Sequence, residues 1–361
     1  MRPNPYHPSA SNFGSGRFFM PRWGVVFGFL GLALASCGPE EPKILEYQLE
    51  GPVQGTTYSI RYTAPPGSDF QSSVDSLFLA IDAELSAWNP NSSVSRLNRG
   101  ESLKPSEHPL LKAVLDSAAA YLKPTGGRFN PAVGPLVRLW GFYQKNPGAF
   151  PDSAAVDSVR ALCGPDRLSV VDGHWVLKSG SAMDVNGIAQ GYTVDVLCAL
   201  LDQRDVHDYF VEVGGELRTS GQTVDGRLWS IGIDRPVQPE PERPDQPAER
   251  VLQRILPLSG KALATSGNYR NFRYDPVSRK RYGHSIDPES GYPKETVLLS
   301  ASVVAGNCTK ADAWATALMV AGLDEAKRLA LTEPGLEVYL IYLNPKGVFE
   351  TWETPGFEPK E

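Results

Sequence analysis

Cysteine is scarce in this chain, and its spacing supports no bridge. The 361 residues hold four cysteines, at positions 37, 163, 198 and 308. No Cys-x-x-Cys occurs, which argues against a disulfide framework or a cysteine zinc site. Cys163, Cys198 and Cys308 read as small apolar fillers. Histidine is nearly as sparse. His7, His108, His174, His207 and His284 share no metal-ligand spacing, and there is no HExxH. The glycine loops that cradle nucleotides are missing, both GxxxxGK[ST] and GxGxxG. "GHSID" at 283–287 is no GxSxG nucleophile elbow. Positive charge is short as well: the formal balance is −6, where a generic nucleic-acid binder is basic. What the chain has is apolar content, 41% hydrophobic against 21% charged, enough for a buried core.

The N-terminus carries its own signal. Arg22 precedes an apolar run from Gly24 to Ala35, too short to span a bilayer comfortably. Basic and apolar regions in that order are those of an export signal. Leu34-Ala35-Ser36-Cys37 resembles a lipobox, which implies cleavage before Cys37 and lipidation of its thiol. Residues 1–36 then form a lipoprotein signal with Met20 as the better start, and 37–45 a lipidated cysteine and spacer. The segment 1–36 holds three Arg and no acid, so the remainder carries 32 basic and 41 acidic residues. A body that acidic does not adhere to anionic lipid by itself. The expected location is the cell envelope, on the periplasmic side, with the membrane reached through the lipid.

Periodicity organises the rest. Residues 44–63 read as two strands around a Gly-containing turn. Apolar positions 74, 77, 78, 81, 85 and 88 follow a helical period, and 109–122 fits a second amphipathic helix. Asp172-Gly173 between "RLSVV" and "HWVLK" is a hairpin signal. Helices are expected over 188–202 and 309–321 with a short one after, and strands over 208–213, 226–233, 297–305 and 336–343. No regular βαβ alternation appears, so the expected fold class is α+β, one large domain of mixed strands and helices over 46–361. "RPVQPEPERPDQPAER" at 235–250, rich in Pro and acid, reads as a solvated loop insertion.

Five stretches gather Gly, Asn, Asp and Thr near apparent strand–helix junctions, where backbone N–H groups and oxygen ligands suit an anion and a hard cation. They are "QGTTYSI" (54–60), "GGRFNPAVGPLVRLWGF" (126–142), "MDVNGIAQGYTVD" (183–195), "VEVGGELRTSG" (211–221) and "NCTKADAWATALMVAG" (307–322). Phe129 and Trp140 either wall a flat ring or form an aromatic core under a loop. Asp184 ends a possible strand, and Asn186-Gly187 turns into a helix. Asp312 and Thr316, at i and i+4, share a helix face and offer two hard oxygens. The plainer alternative is a helix cap and a back-bonded threonine. "RYGHSIDPESGYPKE" (281–295) sets His284 on a loop punctuated by Pro and Gly.

Eight blocks in order, from "QGTTYSI" through "ELSAWNPNSSVSRLN", "FNPAVGPLVRLWGF", "DVNGIAQGYTVD", "VEVGGELRTSG", "ATSGNYRNF" and "HSIDPESGYP" to "ADAWATALMVAG", resemble the ApbE family of FAD:protein FMN transferases over roughly 46–345. The resemblance implies a T-fold-like catalytic domain, FAD as substrate and Mg²⁺ as cofactor. It implies transfer of FMN to a Ser or Thr hydroxyl of an exported flavoprotein subunit, with release of AMP. His284 matches the histidine that contacts FAD, and His284 and Asp287 are the candidate bases. Gln54, Trp88, Arg128, Phe129, Asn130 and Gln190 fall at FAD-contact positions. Asp312 and Thr316 match the metal side-chain ligands, with the Gly187 carbonyl as third. The family commonly has Met, Tyr, Asp and Lys where this chain has Gln54, Trp88, Asn130 and Gln190. An FAD pyrophosphatase yielding FMN and AMP, or a non-catalytic FAD-binding lipoprotein, are the alternatives. No nucleic-acid partner is expected.

Overall fold

The computed structural model describes residues 43–142, 148–236, 251–268, 272–275 and 280–357. The signal segment, the lipobox Cys37 and all but the first two residues of the 235–250 insertion lie outside them. Alternating burial over β1 (Leu45–Val53) and β2 (Thr56–Ala64) gives a hairpin closed by Gln54 and Gly55, at φ +49° and +76°. That pair of positive φ angles is what a two-residue turn between right-twisted strands requires. Four helices follow: α1 (Gln71–Leu85), α2 (Ser93–Asn98), α3 (Pro109–Leu122) and the short α4 (Gly134–Leu139). Then come α5 (Ser153–Arg160), a hairpin of β3 (Leu168–Val171) and β4 (His174–Leu177), and α6 (Asn186–Asp202). Strands β5 (Tyr209–Val213), β6 (Glu216–Ser220), β7 (Trp229–Asp234), β8 (Leu252–Leu258) and β9 (Ala262–Gly267) run on from there. The chain continues through the β10 (Phe272–Asp275) and β11 (Lys280–Gly283) hairpin, β12 (Leu298–Ala305), α7 (Cys308–Ala321), α8 (Leu323–Thr332), β13 (Glu337–Leu343) and β14 (Phe349–Glu353).

Eight strands form one sheet in the order β1-β2-β5-β6-β9-β12-β13-β14, every neighbouring pair antiparallel. Antiparallel pairing with helices set apart is the α+β arrangement. Alternation splits the sheet's two faces. Ile60, Val211 and Val213 face α6 through Val194, Leu197 and Cys198. Ala264, Ala301 and Val303 face α7 through Trp314, Ala315 and Leu318. On the other face, Leu217, Leu263, Val304 and Ile341 pack under the β7–β8 pair through Trp229, Ile231 and Leu256. A further layer of α1 and α3 closes over α6 and α7 through Ile81, Leu85, Leu111 and Val114. No helix among the described residues is long and apolar enough to cross a membrane.

One expectation needs correction, and one open alternative is decided. No strand runs into Asp184: residues 181–185 are irregular, and Asp184 N–H donates to Pro131 O at 2.7 Å instead of joining a ladder. Trp140 is buried core, packed against Phe150, Tyr282 and Tyr292, and walls no open site.

Candidate active site

The site begins at a glycine seam. Gly187 and Gly191 lie four residues apart on α6, opposite Thr316 and Asp312, four apart on α7. A Cβ on Gly187 would stand 3.0 Å from Thr316 Oγ1, and one on Gly191 would stand 2.4 Å from Cys308 O and 2.7 Å from Asp312 Cβ. Only glycine permits that approach. Asp195, one turn further on α6, fixes the register. Its carboxylate accepts the backbone N–H groups of Cys308 at 2.9 Å and Thr309 at 2.8 Å, the Thr309 hydroxyl at 2.6 Å and Arg218 Nη1 at 3.2 Å. The first turn of α7 is thus held by a carboxylate on α6, where helix-terminal N–H groups favour negative charge.

At this crossing Asp312 is buried, 5% exposed, and its Oδ2 accepts the Gly191 N–H at 3.0 Å. Burial pushes its carboxyl up to about 7, and the Gly191 N–H pulls it partly back. No described cation pairs with it. Thr316 Oγ1 lies 3.3 Å from Ser266 Oγ at the end of β9. Asp184 adds a second acid, also raised by burial, whose Oδ1 accepts the Asn186 N–H at 2.9 Å.

These groups line one cleft of about 1030 Å³. Gln54, Trp88, Arg128, Phe129, Asn130, Gly187, Gln190, His284, Asp312 and Thr316 all border it. Trp88 is 68% exposed at its rim, where a flat ring can stack on it. Phe129 is buried beside Gly187. Gln54 Nε2 donates to Thr193 Oγ1 at 2.8 Å, tying the β1–β2 turn to α6. Asn130 uses both ends of its amide within the protein: Oδ1 accepts the Ala132 N–H at 2.9 Å and Nδ2 donates to Cys163 O at 2.9 Å. A carboxylate there could not make the second bond. Gln190 Nε2 lies 2.5 Å from where a Gly214 Cβ would be, so Gly214, at φ +68°, makes room for it.

Asp287 stands apart: it is buried and does not border the cleft. Its Oδ1 accepts Arg128 Nη1 at 3.1 Å and the Glu289 N–H at 3.0 Å. Around it the His284 loop is clipped shut. Asp287 N–H donates to Tyr292 O at 2.9 Å, Gly291 N–H to Asp287 O at 2.8 Å, and Lys294 N–H to Ser285 O at 2.9 Å. Trp140 Nε1 donates to Gly291 O at 2.9 Å and Arg160 Nη1 to Glu289 O at 2.9 Å. Sequence reasoning did not assign Asp195, Trp140 or Asp184 these places. The Gly-x-x-x-Gly spacing of "GIAQG" was the readable trace of the seam.

The donors suit Mg²⁺. A buried carboxyl without a cationic partner sits beside a neutral hydroxyl and a helix-start glycine. Among the described residues no cluster of three His, Cys, Asp or Glu side chains can hold a metal. Mg²⁺ needs none, because it takes one or two carboxylates and completes its shell with substrate phosphates and water.

The ApbE family model matches residues 54–340. The FAD:protein FMN transferase of Salmonella typhimurium is 33% identical over 322 residues, covering 86% of this chain and 88% of that protein. That of Vibrio cholerae is 32% identical over 349 residues, covering 94% and 99%. Among solved structures, the flavin transferase ApbE from Vibrio cholerae superposes with a TM-score of 0.74 at 30% identity, covering 87% of this chain and 99% of that one. The apo flavinyl transferase ApbE of Pseudomonas stutzeri gives 0.74 at 29% identity, covering 87% and 96%.

Proposed function

The chain belongs to the ApbE family, and we propose that it transfers the FMN half of FAD to a Ser or Thr hydroxyl of an exported flavoprotein subunit, with Mg²⁺ as cofactor. The observation that carries the reading is the buried Asp312 carboxyl on the cleft floor, without a described cationic partner and beside Thr316 and Gly187.

The reaction is a phosphoryl transfer. The acceptor hydroxyl oxygen bonds to the FMN phosphorus, the bond from that phosphorus to the bridging oxygen breaks, and AMP leaves with that oxygen. The hydroxyl proton passes to a base. Such reactions depend mainly on positioning and on offsetting charge at phosphate oxygens. Asp312, Thr316 and the Gly187 carbonyl would hold Mg²⁺, which when bound supplies that charge compensation. Trp88 and Phe129 offer apolar faces to the substrate's rings. His284 borders the cleft and Asp287 does not, so His284 takes the role of base. Asp287 and Arg128 hold its loop.

In this reading Cys37 carries a lipid that tethers the mature domain to the periplasmic side of the envelope. Cys37→Ser should release the protein from membranes with activity intact, and membrane fractionation checks it. The activity test incubates the mature protein with FAD, Mg²⁺ and a flavin-acceptor domain, following AMP and in-gel flavin fluorescence. Covalent flavin with stoichiometric AMP is expected. AMP without labelled protein would make it a pyrophosphatase, and neither product would leave a binding protein.

A further inference from the structure

We propose that the cleft's second arm docks the acceptor polypeptide as an added strand along the outer edge of β7. The inference rests on the transferase reading and names where that reaction's protein substrate lies. The arm is on the sheet face away from α6 and α7. The β7–β8 pair packs on that face over β6, β9, β12 and β13, with Phe210 of β5 and Phe349 of β14 at its margins. Over β2 and β5 the cleft floor is Ser59, Arg61 and Phe210, and all of β7 from Trp229 to Asp234 borders the same cleft.

The edge is readable from the register. Ser230 faces Pro257 on β8. Proline has no N–H to give a ladder, so this is a non-hydrogen-bonded pair. Pairing alternates, and Trp229, Ile231 and Ile233 therefore exchange their bonds with β8. The backbone groups of Ser230 and Gly232 point the other way, into the arm. Among the described residues β7 pairs with β8 alone. Trp229, Ile231 and Ile233 are anchored in the core beneath, while Ser230 and Gly232 are exposed. The result is a rigid open edge over a mixed polar and aromatic floor.

An extended polypeptide matches this arm. Added-strand binding uses main-chain bonds and tolerates varied sequence, with alternate side chains probing the floor. The Gly214-Gly215 turn, Asp312 and β7 border the same cleft. A segment paired with β7 can thus carry its hydroxyl toward the pyrophosphate while the donor groups stay on the helix side.

Ser230→Pro removes one edge N–H without touching a β8 bond, and Ser230→Ala keeps that N–H. With an acceptor domain that the wild-type protein flavinylates, Ser230→Pro should raise the acceptor KM by roughly 3–10-fold, the worth of about one net hydrogen bond. Ser230→Ala should match wild type, and the FAD dissociation constant should hold in both. Hydrogen exchange on the wild-type protein is the second measurement. The Ser230 and Gly232 amides should slow when acceptor is added to the FAD complex. Slowing by FAD alone would give the arm to FAD, and slowing that grows with enzyme concentration would give it to a second copy. Either overturns the proposal, as does an unchanged KM in Ser230→Pro. If the wild-type protein labels no acceptor while releasing AMP, the transferase reading fails first and this one with it.

Discussion

The α6–α7 seam and the His284 loop hold side chains in the same cleft by opposite means. In the seam, regular helices meet at glycines, and Asp312 and Thr316 take their places from helix geometry. The loop from His284 to Lys294 has almost no regular structure. It is fixed by side chains: Trp140 donates to Gly291 O, Arg160 to Glu289 O, and Arg128 to the Asp287 carboxylate. The seam is sensitive to one added methyl. The loop spreads its restraint over many bonds, so each deletion costs little. Failure should therefore be steep at the seam and shallow at the loop.

The largest effect is expected at Asp312. Asp312→Ala should abolish AMP release at moderate Mg²⁺, a loss on the order of 10²-fold or more for such an electrostatic contribution. Thr316→Ala should lose less and recover partly with added Mg²⁺. Asp312→Asn separates function from stability. It keeps an oxygen for the Gly191 N–H and removes the titration. Between the ordinary carboxyl value of 3.8 and the folded value of about 7, the folded protein holds a proton that the unfolded chain has lost. Metal-free stability of the wild type therefore falls as pH rises through that window. Metal-free Asp312→Asn should melt like wild type below pH about 4 and at a higher temperature above pH about 7. Mg²⁺ affinity of the wild type should rise through the same window, because only the carboxylate ligates. Equal melting curves at pH 8 would show that Asp312 is not a buried acid waiting for a cation.

Next is Gly191→Ala. Its Cβ would fall 2.4 Å from Cys308 O, a backbone atom that moves only if α7 moves. Overpacking of this kind costs about 1–3 kcal/mol. The same shift should weaken Mg²⁺ binding, though the substituted residue offers no ligand. Denaturant melts and Mg²⁺ titrations of AMP release check both. A variant that loses stability but keeps its Mg²⁺ dependence would mean that the ligands tolerate helix displacement, and the comparison with the loop would lose its edge.

How much of this was legible follows the same division. Local patterns were readable: the sequence predicts a helix over 109–122 and α3 occupies those residues, and Asp172-Gly173 turns at φ +50° and +77° as its hairpin requires. The Asp312/Thr316 face followed from i,i+4 spacing alone. Asp195 did not, because its meaning lies in bonds to residues 113 and 114 positions away. The layering of β7–β8 over the sheet also depends on non-local contacts that no window of sequence contains. Asp184 was placed at the end of a possible strand, whereas tertiary bonding to Pro131 decides its path. Trp140 read equally well as wall or core, and only packing separates the two.

The smallest effect sharpens the contrast from the loop side and concerns Asp287. Sequence made it a candidate base beside His284, whereas its carboxylate is spent on Arg128 and on the Glu289 N–H. Asp287→Asn keeps an acceptor for that N–H and gives up the charge that binds Arg128. The Arg128 guanidinium also reaches Glu289 Oε2 at 3.1 Å, so the loop keeps one ionic tie. A stability loss of about 1 kcal/mol is expected, the scale of one weakened bond. Loosening of the loop should raise the FAD KM a few-fold, as a lost ground-state contact does, and leave kcat nearly alone. With His284 as the proposed proton acceptor, the pH dependence of kcat should not move. A base would behave otherwise: its removal costs typically 10²–10⁴-fold in kcat and changes the limb of the pH profile that reports it. A kcat loss of that size in folded Asp287→Asn, with the FAD KM unchanged, would transfer the base to Asp287 and make the clip part of the chemistry.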